Sequence, residues 1–391
     1  MGSITTNNLK SEAADVLSAA RRPMSLISEK FHPQQVARVE GELIAVNDSI
    51  VPDLPLRAGK ISFFVAWRGN NAEMELNGLS RHGRVLSFNI RFRDKYGNEY
   101  DYVSIKGGGI TAQSTEASYN NSVYNSPHDD EGVRGLEWSL DALADWVESN
   151  HLLEHGARTT VPIALIQLKS IVMADGTKKS VEEAVSEGIL PVNKMYDYEF
   201  RKFVPVLYIR GFREIMRVLD ADAVDFEAFA AERGLSRKEY ARLWSKEVAR
   251  NVAILHDLGK VHTYLNDHNI TLDGGIVDLD SVEDASFKKI EGDLLELLSV
   301  IDTFSKLNIN HSLFHEFMRE YFSQRKNMSK EEKGEWMADL GTHIPPSLFR
   351  ARLGPKIADE LIKLLLCPDG DLGSKESGAI TEPVRAASTP T

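Results

Sequence analysis

The stretch HTYLNDHNITLDGGIVDLDS, His262–Ser281, sets a histidine, a carboxamide at Asn269 and a carboxylate at Asp278 close together in one loop-rich segment. Asp278 ends the apolar run GGIV. A carboxylate at the mouth of a buried strand, with a carboxamide shortly before it, offers the hard oxygen donors that Mg²⁺ prefers. The bland alternative is that Asp278 and Asp280 only cap a turn ahead of the acidic VEDAS segment, since aspartate is common in turns. The spacing favours the metal reading.

Working outward, a helix expected over Lys238–Leu258 feeds directly into this loop, and the chain from Asp225 to Leu366 reads as almost wholly helical. The half before it reads as β. ISFFVAW, RVLSFNIRFRD and YDYVSIKGGG are strand-like, with a hairpin turn expected at Tyr96–Glu99. A helix is expected from about Leu136 to Leu153 and is stopped by Gly156. TVPIALIQL and FVPVLYIRG follow as strands on either side of an insertion at 174–193, and FREIMRVLD reads as the start of a helix. The expected organisation is a helical N-terminal extension over 1–57, a β-rich lobe over 58–211, a helical lobe over 212–367 carrying the quoted loop, and a disordered tail over 368–391 rich in Gly, Ser, Thr and Pro.

Composition narrows the class. A chain of 391 residues with 42% hydrophobic content is long enough for two lobes with their own cores. The formal net charge of −12 opposes adsorption to nucleic acid or anionic membranes, so neither is expected as a partner. Cys367 is the only cysteine, which rules out an intrachain disulfide and a cysteine-based zinc cluster and fits a reducing, cytoplasmic location. No apolar run reaches the length of about 18 residues that a membrane helix needs, and the start lacks the apolar core of a secretory signal. The opening MGSITT satisfies the loose N-myristoylation pattern at Gly2, a short pattern that a common translation start also satisfies.

Lys106 ends the strand VSIK and is followed by three glycines, which would set an ammonium beside backbone able to approach a phosphate. Alone, this is more simply a solvated lysine before a flexible loop. An acid on the following helix would pair with the lysine, and Asp145 is the best placed, with Asp141 one turn earlier. His151, His155 and the pair His311 and His315 fall on expected helices, and no HExxH spacing occurs, so these imidazoles read as ordinary core or surface groups. The aromatic-rich LFHEFMREYF reads as a packing helix.

The order of these parts is similar to that of protein kinases, in which H-R-D-x-x-x-x-N supplies a base and a metal ligand and D-F-G a second ligand. Asn269 and Asp278 keep the ligand positions, while Tyr264 stands where the kinase base would be. More closely, HGRVLSFNI at His82, SIKGGG at Ser104, DEGVR at Asp130, LEHGARTT at Leu153, IRGFREIMR at Ile209, HTYLNDHN at His262 and VDLD at Val277 resemble, in order and rough spacing, the motifs of selenoprotein O. That family comprises protein-kinase-like enzymes that transfer AMP, and the likeness covers roughly half the chain, about Gly83 to Asp280.

The resemblance implies an α+β, two-lobed protein-kinase-like fold, with a β-rich N-lobe and a helical C-lobe, that binds ATP with Mg²⁺ or Mn²⁺. It assigns nucleotide contacts to Gly83, Arg84, Lys106, Glu131 (where the family has Asp), Gly132 and Asp278. It assigns the triphosphate to Arg210 and Arg217, and the metal to Asn269 and Asp278. The family's acid before the metal-binding Asn is His268 here and the Thr before that is Asp267, so the base is expected at Asp267 or at His268, or is absent. Arg81 replaces the first glycine of an upstream motif, and the family's C-terminal redox cysteine has no counterpart. The implied function is transfer of AMP from ATP to a hydroxyl, on a protein Ser, Thr or Tyr or on a small molecule, with pyrophosphate released. The alternatives are γ-phosphoryl transfer to a small molecule, or a pseudokinase that binds nucleotide and a partner protein.

Overall fold

The computed structural model describes residues 30–52, 54, 61–66, 72–79, 83–111, 123–125, 133–173, 175–196, 199–306, 313–329 and 331–333. The first half is built on one antiparallel sheet of nine strands. From one edge the order is Gly41–Val46, Val161–Leu168, Pro205–Phe212, Glu99–Lys106, Val85–Arg93, Met74–Leu79, Phe31–Arg38 and Phe63–Val65, with the short strand Glu137–Trp138 pairing onto Pro205 and Val206.

Pro205–Phe212 is buried at every position, so its sequence is a continuous apolar run instead of an alternation. One face contributes Leu207 and Ile209 to the main core with Phe63, Phe88, Val103 and Ile163. The other packs Val206 and Tyr208 with Leu165 and Ala142 of the helix Ser139–Glu154. That helix ends at His155, and Gly156 takes a φ of 77°, the left-handed conformation expected of a helix stop. The expected hairpin is present. The carboxylate of Asp94 accepts from the backbone N–H groups of Tyr96 and Asn98, each at 2.9 Å, and from Tyr100 Oη at 2.8 Å.

The helical half comprises Ala223–Glu232, Arg237–Asp257, Phe287–Lys306 and Leu313–Gln324. Arg237–Asp257 starts with a capping box, in which the Ser236 side chain takes the Glu239 amide and Glu239 takes the Ser236 amide. Its buried face, from Tyr240 to His256, recurs at helical spacing. Among the described residues no helix is long and apolar enough to cross a membrane. The described residues up to Asn327, sheet and helices together, belong to one compact unit, and those from Met328 on to another. In the second, Ser329 and Glu332 exchange hydrogen bonds at the start of a helical turn. Cys367 and the expected tail lie outside the described residues.

Two expectations are corrected. The folded region does not begin near Ala58, because Phe31–Arg38 and Gly41–Val46 are sheet strands. FHPQQVAR hides its strand behind Pro33 and two glutamines, and its place is set by six paired positions against Met74–Leu79. FREIMRVLD is not a helix, apart from a 3₁₀ turn at Val218–Asp220. Its backbone pairs instead with the loop after His262, through Arg217 opposite Thr271, Leu272 N–H to Met216 O at 2.9 Å and Val218 N–H to Ile270 O at 2.9 Å. Tertiary pairing overrides local helical periodicity here.

In this segment Glu214 is buried and accepts the Met216 N–H at 2.8 Å. Burial pushes its carboxyl up from 4.5 to about 8, against the lowering effect of that amide. A raised carboxyl stabilises the fold below its unfolded value, and that stability is lost as pH rises through the folded value. Urea unfolding should therefore show a decline of about 3–5 kcal/mol from Glu214 between about pH 5 and about pH 8, which Glu214→Gln should remove, leaving the smaller decline that Glu137 contributes in the same range. An unchanged slope in the variant would exclude Glu214 as its source.

Candidate active site

Lys106 lies at the end of its strand, only 8% exposed, and its Nζ is 3.1 Å from Glu137 Oε1, 3.4 Å from Asp280 Oδ2 and 3.8 Å from Asp278 Oδ1. Burial disfavours the ammonium, but the three carboxylates outweigh that cost and raise the lysine above its ordinary value. Burial likewise pushes Glu137 up to about 7, with Lys106 working against the rise. The glycines after Lys106 serve packing. A Cβ on Gly107, whose φ is 89°, would stand 2.4 Å from Val206 O and 2.7 Å from Glu137 Cβ, so glycine is what lets Glu137 close on the lysine. Gly108 and Gly109 are pressed against Phe63 and Phe64 in the same way.

The lysine's expected partner is therefore corrected: it is Glu137, not Asp145. Asp145 is fully buried and accepts from Tyr208 Oη at 2.8 Å, Ser149 Oγ at 2.9 Å, Leu279 N–H at 3.1 Å and Arg210 Nη1 at 3.2 Å. It ties the helix Ser139–Glu154 to the backbone just after Asp278. Asp141 bonds Lys194 at 3.5 Å. Glu137 escaped the sequence reading because it precedes the helix on a two-residue strand, flanked by the buried Leu136 and Trp138. Its signal was a lone acid between two large apolar residues.

Asp278 is the hub. Its Oδ1 accepts from Arg210 Nη1 at 3.0 Å and its Oδ2 from Arg217 Nη1 at 2.8 Å. Burial raises this carboxyl, but Arg217, Lys106 and Arg210 together hold it well below the usual carboxylate range. Its backbone is left-handed, φ 60° and ψ 61°, an uncommon conformation for a residue other than glycine. Thr263, φ 67°, is the only other described non-glycine residue with positive φ. Between them His262 Nε2 meets Val277 O at 2.9 Å. Asp293 of the helix Phe287–Lys306, a residue the sequence did not single out, accepts His262 N–H at 2.7 Å and Thr263 N–H at 2.8 Å. Both strained positions are thus held from the core side.

Arg210 is fully buried, stacked beside Tyr208 and Phe212, with its guanidinium spanning Asp145 and Asp278. Its guanidinium thus braces the two aspartates. Arg217 reaches the loop directly, with Nη1 at 2.5 Å from His268 O and 3.2 Å from Asn269 Oδ1. Asn269 is oriented by donation from Nδ2 to Tyr264 O at 2.9 Å. His268 contributes its carbonyl, and its side chain is exposed. Asp267 O accepts Leu219 N–H at 3.1 Å. Gly83 is buried, its carbonyl accepting Thr111 N–H at 2.7 Å, and Arg84 lies close enough to Glu137 to act on its charge. Glu131 and Gly132 lie outside the described residues.

No three His, Cys, Asp or Glu side chains gather as a metal site among the described residues. The donors that do gather are of another kind. Asn269 Oδ1 and Asp278 Oδ2 both contact the single nitrogen Arg217 Nη1. Oxygens converging on one cationic atom are the donor set that a hard divalent ion takes, so these residues fit Mg²⁺ or Mn²⁺. A separate cavity of about 260 Å³, lined by Asn89, Arg213, Glu214 and Phe229 among others, includes none of these groups.

No protein-family model and no curated protein matches the chain. Among solved structures, ROP2 from Toxoplasma gondii, described as a virulence factor with a protein-kinase fold and no enzymatic activity, is 12% identical over 92% of each chain with a TM-score of 0.33. The ROP18 kinase domain, in complex with AMP-PNP and sucrose, is 11% identical over 92% of this chain and 91% of its own, TM-score 0.31. WaaP in complex with acyl carrier protein is 14% identical over 70% of this chain and 85% of its own, TM-score 0.30. Scores this low leave the functional reading to the geometry of Lys106, Glu137, Arg217, Asn269 and Asp278.

Proposed function

We propose that this chain is a protein-kinase-like transferase that binds ATP with a divalent cation at the junction of sheet and helices. The observation that carries the reading is the convergence of Lys106 from the sheet with Arg217 and Asn269 on the partly buried carboxylate of Asp278. Group transfer from a nucleotide needs little covalent help from protein and depends on positioned cations around developing negative charge. Lys106 is kept charged by Glu137, Asp278 and Asp280 and can exchange part of that pairing for a phosphate oxygen. Asn269 and Asp278 would hold the divalent cation, which supplies charge neutralisation on the phosphates. Arg217 is the guanidinium nearest those ligands, and its planar fork suits phosphate oxygens.

The finer reading is AMP transfer to a hydroxyl of a protein or small molecule. It is supported by the ordered motif series shared with selenoprotein O-like chains. A second reading, γ-phosphoryl transfer, gains from the pairing of Arg210 with both Asp145 and Asp278, which leaves Arg217 as the guanidinium beside Asn269. ATP labelled separately at the α and γ positions separates them. Label from the α position on an acceptor supports AMP transfer, label from γ supports phosphorylation, and label from neither, with ATP bound, supports a binding module.

Lys106→Ala should lower transfer by about tenfold or more by removing one charge-assisted phosphate contact. Undiminished turnover in single-turnover assays would remove Lys106 from the site. Asp267→Asn and His268→Gln test the base: the one that serves should lose roughly 10²–10⁴-fold in rate and the other should not.

A further inference from the structure

The guanidinium of Arg217 sits where a cation among oxygens would sit. Nη1 lies 2.5 Å from His268 O, 2.8 Å from Asp278 Oδ2 and 3.2 Å from Asn269 Oδ1. A carbonyl, a carboxylate and a carboxamide, contributed by three residues, thus surround one positively charged atom. The other oxygen of Asp278 is already taken by Arg210 at 3.0 Å, so a second cation finds no unengaged carboxylate oxygen on this residue. The side chain of Arg217 is only 7% exposed and that of Asp278 21%, so the contact is partly buried and only partly screened by solvent.

We infer that Arg217 is a tethered cation occupying the seat of the divalent ion, so that docking of Arg217 on Asp278 and binding of Mg²⁺ or Mn²⁺ exclude one another. The inference rests on the reading of Asn269 and Asp278 as the cation's ligands. Two positive charges cannot share the same three oxygens in a partly buried site without strong repulsion. The ion can load only when Arg217 leaves, and Arg217 leaves most readily when a polyphosphate offers it other oxygens. Nucleotide and divalent ion therefore bind cooperatively, each raising the affinity of the other by the same factor. With no nucleotide present, the arginine keeps the hub charge-balanced and the ion out.

The test is Mn²⁺ binding to the full chain without nucleotide, with free ion counted by electron paramagnetic resonance. Wild type should bind Mn²⁺ weakly, and Arg217→Met should tighten binding by on the order of tenfold or more once the competing charge is gone. Adding Asp278→Asn to Arg217→Met should erase the gain. Equal affinity in wild type and Arg217→Met, or a gain that survives Asp278→Asn, overturns the proposal. Should Arg217→Met fail to fold, the wild-type guanidinium can be followed by nitrogen-15 NMR during Mg²⁺ titration. Its resonance should move as the ion loads, and one that stays fixed while the Asn269 signals shift overturns the proposal. Because neither readout involves ATP, a failure of the transferase reading leaves this result interpretable.

Discussion

Asp278→Asn should abolish nucleotide-dependent transfer, a loss of roughly 10²–10³-fold or more, because one carboxylate carries three tasks. It anchors Arg217 and Arg210, faces Lys106, and supplies a charged oxygen beside Asn269 for a divalent ion. Asparagine keeps the shape and removes the charge. The left-handed backbone at this position also tolerates asparagine, so the variant tests charge and not strain. Single-turnover transfer, with circular dichroism to confirm folding, is the measurement. A folded Asp278→Asn that retains more than about a tenth of wild-type transfer would remove this carboxylate from the mechanism.

Asp145→Ala is expected to produce the largest stability loss of any single change near the site, about 3–5 kcal/mol in urea unfolding. The reason is the company it keeps. Removing its carboxylate strands the guanidinium of the fully buried Arg210, the phenol of Tyr208 and the hydroxyl of Ser149. It also leaves the Leu279 amide, immediately after the hub, without its acceptor. A buried charge deprived of its partner costs far more than the pair contributed, because desolvation is no longer offset. A loss below about 1 kcal/mol would show that Asp278 alone suffices to hold Arg210.

The two aspartates also show what the sequence could and could not tell. That Asn269, Asp278 and Lys106 lie near one another could be expected from the kinase-like order of the motifs that carry them, and the structure brings them together. The pairing of Lys106 was not legible, since Asp145 and Asp141 stand on a helix at plausible positions and only the sheet determines that Glu137 meets the ammonium. Arg210 and Arg217 read alike as cations, yet the strand buries the first and the loop after it carries the second to Asn269. Asp293 lacked any local signal, because its partners are the His256 imidazole 37 residues earlier and the backbone amides of His262 and Thr263 31 and 30 residues earlier. On the larger scale, strongly periodic elements such as Arg237–Asp257 and the Asp94 hairpin were recoverable. Phe31–Arg38 was not, because its apolar positions are interrupted and its conformation is imposed by a partner strand.

The most direct test of the account is calorimetric titration of ATP with Mg²⁺ into the full chain and into the Lys106→Ala, Asp278→Asn double variant. The account predicts saturable one-to-one binding to wild type and none to the variant at the same concentrations. Absence of saturable binding to wild type, or equal binding to both proteins, would contradict a nucleotide site at Lys106 and Asp278.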